Sequence, residues 1–144
     1  MSERRPNYLG IVVGAIVLFA WGAVWYTALG TAWLAALGKT HDQMGRYGAF
    51  PFVVSLLAAL LVAYCFDNML WHYERGDATK GAQVGFLTGV CIFLAMTLEL
   101  YFFQGQSVAL MVIDGGYGVI GFTLTGAVVG WLRSRSARRS ASPA

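Results

Sequence analysis

Charge is scarce in this sequence. Of 144 residues, 10 are Lys or Arg and 7 are Asp or Glu, 12% in all, where a soluble globular domain carries roughly a quarter. That excludes an ordinary water-soluble enzyme or binding domain. Cysteine is limited to Cys65 and Cys91. Both fall inside apolar runs, where a buried thiol acts as a small hydrophobe, so they provide neither a disulfide framework nor a metal-ligand spacing. The two histidines, His41 and His72, fall at opposite ends of the apolar runs, which excludes a bis-histidine haem and a shared metal site. Phosphate-binding loops, nucleophile elbows, His-Glu-x-x-His and Cys-x-x-Cys are absent, and the Gly115-Gly116 pair heads an apolar run rather than a strand-turn-helix cradle. No metal, no cofactor and no catalytic residue is expected. The chain is read as not an enzyme.

Apolar residues, in contrast, make up 58% of the chain. They concentrate in four runs, Tyr8–Leu29, Phe50–Trp71, Val84–Phe103 and Val108–Trp131. Each has about twenty residues, enough at a rise of about 1.5 Å to cross the roughly 30 Å hydrocarbon core of a bilayer. The expected fold is an all-α membrane protein, a bundle of four transmembrane helices in one domain over residues 1–132. The first run is too long for a signal-peptide core and ends in Trp25-Tyr26 rather than small residues, so it is kept as a mature span. In the first connection, Thr31–Leu37 is apolar enough for a short interfacial helix, with Trp33 as its anchor. Trp71 and Trp131 take the same anchoring role at the ends of spans two and four. Pro51 falls at the start of span two, where a missing donor is harmless. Residues 133–144, rich in Arg, Ser and Ala, read as a disordered basic tail.

Basic residues set the expected orientation. Arg4, Arg5, Arg75, Lys80, Arg133, Arg135, Arg138 and Arg139 fall on one side, against Lys39 and Arg46 on the other. The positive-inside rule puts both termini and the middle connection in the cytoplasm. The net charge of +3 then belongs to membrane topology and not to nucleic-acid binding. Short loops and a compact form suit a bacterial inner membrane.

Small residues recur at helix-packing spacing. Gly10-x-x-x-Gly14, Gly85-x-x-x-Gly89 and Gly126-x-x-x-Gly130 each expose backbone on one helix face, which permits close approach of a second helix. The second helix belongs either to the same bundle or to another copy or membrane partner.

Two stretches also carry a family likeness. Trp25-Tyr26-Thr-Ala-Leu-Gly30-Thr-Ala-Trp33-Leu-Ala-Ala-Leu-Gly38-Lys39, and Asp114-Gly-Gly-Tyr117 leading to Gly126-Ala-Val-Val-Gly130, resemble the opening and closing segments of the bacterial family catalogued as domain of unknown function 1761. The resemblance runs from residue 8 to about 132. Such proteins often have a proline just after the Trp-Tyr pair; this chain has Thr27-Ala28. The resemblance implies a small four-span protein and no reaction.

Ionisable groups at membrane depth are costly and therefore the natural functional candidates. Glu99 and Asp114 flank the Gln104-Gly-Gln-Ser hairpin on antiparallel neighbours. Helical spacing of i+3/i+4 puts Glu99 on a stripe with Gly85, Thr88, Ile92 and Met96, and Asp114 on one with Gly118, Gly121 and Thr125. With Tyr117, Trp21 and Trp25 they would form an outer-half pocket suited to a proton, a cation or a small amphiphile. The structural alternative makes Asp114 a hydrogen-bond acceptor at a helix start and Glu99 a wetted hairpin residue. Asp67, on a stripe with Tyr64, Asn68 and Trp71, reads as a snorkelling polar end. The leading expectation is an accessory or structural membrane subunit acting through helix packing, with a minimal carrier as the runner-up. Its partners would be the lipid bilayer and either a membrane protein or a second copy, and not nucleic acid.

Overall fold

The computed structural model describes residues 6–45, 48–73 and 76–141. Arg4, Arg5, Arg46, Glu74 and Arg75, which enter the charge asymmetry and the end of span two, lie outside the described residues.

The chain is all-α, with seven α-helices and one π-helical segment among the described residues. In order these are α1 (Tyr8–Ala28), α2 (Gly30–Leu37), α3 (His41–Met44), α4 (Phe50–Trp71), α5 (Ala78–Thr88), the π segment (Gly89–Leu94), α6 (Ala95–Phe103) and α7 (Val108–Ala141). The α5, π and α6 segments form one continuous apolar helix, so four helices are long and apolar enough to cross a membrane. One membrane side carries the start of α1 and the α4–α5 connection and is called the terminal side. The other carries α2, α3 and the α6–α7 hairpin.

Local chemistry sets the helix ends. The Asn7 side chain accepts from the Gly10 amide at 3.2 Å and caps α1. Pro51 sits in the first turn of α4, where its missing N–H is one of the groups a helix start leaves unbonded. Helix α5 begins at Ala78, earlier than apolarity alone places it, because Asp77 caps it by accepting from the Lys80 amide at 2.9 Å. Helix α2 stops where Gly38 takes a φ of +66°, a left-handed conformation that glycine adopts without steric cost. At the hairpin, the Ser107 hydroxyl accepts from the Leu110 amide and donates to the Ala36 carbonyl, both at 3.2 Å. That pins the start of α7 to the end of α2.

One expectation fails at the C-terminal end. Arg133–Ala141, expected as a disordered tail, continues α7 as helix. Ala, Arg and Ser are all compatible with helix, and extending an existing helix requires no new nucleus. The 34-residue α7 is about 51 Å long, well beyond the roughly 30 Å hydrocarbon thickness.

Helix α7 is central and packs against α1, α4, α5, the π segment and α6. The core joins Ile11, Ala15 and Leu18 of α1 to Ala59, Ala63, Phe66 and Leu70 of α4, Val84 of α5 and Val129 of α7. Gly14 lies where three helices meet, since a Cβ there would stand 2.6 Å from Val129 Cγ2 and 3.4 Å from Ala63 Cβ. Gly10 differs: the nearest atoms an added Cβ would meet belong to the side chain of Asn7, so its smallness serves the cap of its own helix.

The α5–α7 contact is the tightest. A Cβ on Gly81 would collide with the Gly126 carbonyl, one on Gly85 with that of Phe122, and one on Gly130 with that of Asp77. On Gly89 it would stand 2.8 Å from Val119 Cα. The obstacles are all backbone. These glycines are therefore spent on contacts within the chain, and no intermolecular role is needed to account for them. Gly81 extends the Gly85–Gly89 spacing by one further step of four, a signal present in the sequence just before the apolar run begins at Val84.

Both cysteines are exposed, contrary to the expectation of buried thiols. Cys65 shares its helix with the buried Ala63, Phe66 and Asp67 yet points away from them. Cys91 lies on the outward face of the π segment.

Candidate functional site

The hairpin-side polar layer centres on Asp114, which is 8% exposed. Its Oδ1 accepts from the Tyr26 hydroxyl at 2.7 Å and from Trp33 Nε1 at 3.1 Å. Its Oδ2 accepts from the Tyr101 hydroxyl at 2.8 Å. Three uncharged donors from α1, α2 and α6 thus converge on one carboxylate of α7. Both carboxylate oxygens are thereby engaged by side chains of other helices.

Two indoles extend the arrangement along α7. Trp25 Nε1 donates to the Ile113 carbonyl at 3.0 Å and Trp21 Nε1 to the Tyr117 carbonyl at 3.2 Å. Glycines make room for the rings. A Cβ on Gly116 would lie 3.2 Å from Trp25, and one on Gly121 2.8 Å from Trp21. The rings pair in two groups, with centroids 5.2 Å apart for Trp21–Trp25, and 5.1 Å for Tyr26–Trp33 and 5.3 Å for Tyr26–Tyr117. Such tilted and edge-on pairs add to the burial of each ring.

Of the expected pocket, Asp114, Tyr117, Trp21 and Trp25 come together on α1 and α7. Glu99 does not join them. It is exposed and lines an outward groove of about 700 Å³ with Ile92, Phe93, Met96, Leu100 and Phe122 among its neighbours. The cause is the π segment. Its wide turns insert one residue relative to an α-helix, and one residue rotates every later side chain by about 100°. Before it, Gly81, Val84, Gly85 and Gly89 face the bundle. After it, the inward face passes through Phe93 and Thr97 to Tyr101, while Ile92, Met96 and Glu99 turn out. The expected Gly85–Glu99 stripe assumed an uninterrupted α-helix. Tyr101 takes the place beside Asp114 that Glu99 was expected to hold.

Trp33 adds a contact at the polar layer. Expected as an interfacial anchor, it directs its N–H at Asp114. Tyr26 enters the sequence reading only through the Trp25-Tyr26 pair and its family likeness, without a role at the polar layer, and Tyr101 does not enter it. The available signal was a tyrosine just inside a span end, which ordinarily reads as an interfacial belt residue.

On the terminal side, Asp67 is fully buried and does not snorkel. It pairs with Arg133 of α7 at 2.5 Å, and its Oδ2 accepts from the Asn7 amide at 3.3 Å. The Arg133 guanidinium stacks over Trp71 at 5.0 Å. Trp131 is 42% exposed, with Arg135 over its ring at 4.1 Å. The stripe reading failed because Asp67's partner is 66 residues away, on a stretch expected to be disordered.

Among the described residues no group of three or more His, Cys, Asp or Glu side chains is placed to hold a metal ion.

The architecture and the buried Asp114 layer define an all-α, multi-pass membrane protein with four apolar helices. Residues 9–130 match the family described as protein of unknown function (DUF1761), and the chain belongs to that family. No curated protein and no solved structure is matched by the chain.

Proposed function

We propose that this is a non-catalytic membrane subunit that works by helix packing, as an accessory or structural component. The observation that carries the reading is Asp114, both of whose oxygens are taken by Tyr26, Trp33 and Tyr101. A cargo site needs acceptors that the protein leaves open, and this carboxylate is instead used to join α1, α2, α6 and α7. The outward groove beside Glu99 supports a packing role for the α5–α6 face. An intramembrane carboxylate on an exposed face favours a neighbouring helix that offers it a donor. The alternative, a minimal proton, cation or small-amphiphile carrier, would need a polar path from Asp114 to Asp67, and Asp67 is already paired with Arg133.

Reconstituted into vesicles under a pH gradient, the protein should dissipate the gradient no faster than empty vesicles. Asp114→Asn keeps one oxygen for Tyr26 and Trp33 and offers an amide to the Tyr101 oxygen, so it should cost less than about 1 kcal/mol. Asp114→Leu strands three donors and should cost about 1–3 kcal/mol, allowing for the modest worth of intramembrane hydrogen bonds. A flux in the wild type that Asp114→Asn abolishes would replace the packing role with the carrier. In the native membrane, a photo-crosslinking side chain at Met96 should trap a membrane protein or second copy. The same group at Ile16 on α1 should not. Equal trapping at both positions would remove the α5–α6 face from the reading.

The proposed location is a bacterial inner membrane with both termini in the cytoplasm, supported by the distribution of basic residues. A C-terminal reporter enzyme should be active only when cytoplasmic folding permits it. Activity of a reporter that matures only outside the cytoplasm would reverse the orientation.

A further inference from the structure

On the terminal side, the part of α7 that outruns the hydrocarbon core walls a cavity of about 590 Å³. Arg133, Ser134, Ala137 and Arg138 line it from α7, on one face by their spacing. Trp71, Tyr73, Gly76 and Asp77 close it from the α4–α5 connection. Its position is interfacial, with the buried end of the bundle below and the projecting turns of α7 beside it.

The lining has the chemistry of a phosphodiester receptor. Arg133 uses Nη1 on Asp67, and among the described residues nothing takes its other N–H groups. Its plane is fixed by Asp67 and Trp71 before any ligand arrives. Arg138 is exposed, and among the described residues its hydrogen bonds go to the Ser134 carbonyl and hydroxyl, at 3.4 Å each, distances that leave its guanidinium free to turn. Two guanidiniums, one fixed and one mobile, suit a phosphate bridged by charge-assisted hydrogen bonds. Among the described residues, Asp77 is the acid in the lining. It opposes a bare anion and suits the ammonium of an amine-bearing headgroup.

We infer that this cavity binds a phospholipid headgroup, with the phosphate between Arg133 and Arg138. The site is separate from the Asp114 layer and independent of the packing role, since it stands whether or not a partner covers the α5–α6 face. Its occupant arrives laterally from the leaflet, which brings the phosphate to the depth at which α7 leaves the hydrocarbon.

The test uses full-length protein, delipidated in mild detergent, with short-chain phosphatidylglycerol, short-chain phosphatidylethanolamine or inorganic phosphate. Binding is read by native mass spectrometry and by thermal shift. One lipid should bind per chain, and Arg138→Glu should weaken binding about tenfold. Arg135→Glu, the same charge change on the same helix but outside the cavity, should change it less than threefold. Asp77→Asn preserves the helix cap and separates the two lipids: loss confined to phosphatidylethanolamine assigns the ammonium to Asp77, and tighter phosphatidylglycerol alone assigns an anionic lipid. Equal effects of Arg138→Glu and Arg135→Glu would overturn the site in favour of diffuse attraction. Inorganic phosphate binding as tightly as the lipids would overturn the lipid as its occupant, and no binding of any probe would overturn it altogether.

Discussion

Gly126→Leu and Gly81→Leu should each lower stability in mild detergent by about 3 kcal/mol or more, while Val112→Leu and Ile120→Leu on the exposed face of α7 should change it by less than about 0.5 kcal/mol. At Gly81 and Gly126 the atom in the way is the other glycine's carbonyl oxygen. A side chain can change rotamer to admit a methyl group; a helix backbone can only move away as a unit. Separating α5 from α7 would also withdraw the π segment from Val119 and loosen the phase that points Tyr101 inward. Gly10→Ala is the internal contrast. There the added carbon meets the Asn7 side chain, 2.9 Å from Nδ2, and the expected loss is below about 1 kcal/mol, the range of a perturbed helix cap. Detergent-denaturant titration followed by far-ultraviolet circular dichroism measures all of these. Equal losses for the Gly and Val112 variants would show that the α5–α7 approach does not hold the bundle together.

The second large effect is expected at Asp67–Arg133. Arg133→Met leaves a fully buried carboxylate facing an apolar side chain and should cost about 3 kcal/mol, the low end for breaking a buried pair, because Arg133 keeps 15% exposure. Asp67→Leu should cost a similar amount by leaving the guanidinium unpaired against Trp71. The double variant Asp67→Leu, Arg133→Met removes both charges together and should recover most of the loss, leaving about 1 kcal/mol from the broken Asn7 contact. The cycle of the two single variants and the double variant isolates the pairing term. Additive losses would mean that the two groups do not act as a pair. The expected coupling also bears on how the ends of the bundle are held. Asp67 touches the start of α1 through the Asn7 amide and the projecting part of α7 through Arg133, so one carboxylate ties the start of α1 and the end of α4 to α7.

What the sequence by itself determines is the set of properties that add up locally. Mean hydropathy over about twenty residues is a sum and does not depend on which neighbour a helix meets, so the four apolar helices are legible at once. The α7 stripe is legible for a related reason. Asp114, Gly118, Gly121 and Thr125 lie on uninterrupted α-helix, and all four are buried. The Gly85–Gly89 and Gly126–Gly130 spacings identify faces that permit close approach, but the sequence leaves open whether the other helix is the chain's own. Tertiary structure alone decides the rest, and in each case the reason is rotation or distance. No residue pattern announces the π segment at Gly89–Leu94, and its one extra residue exchanges Glu99 for Tyr101 at the polar layer. Asp114 draws its donors from three elements, the farthest 88 residues away, so each donor by itself looks like an interfacial aromatic. Asp67 finds Arg133 only because α7 continues past the apolar run. That continuation is favoured by a helix already formed and by a buried acid that needs a cation at its terminal end.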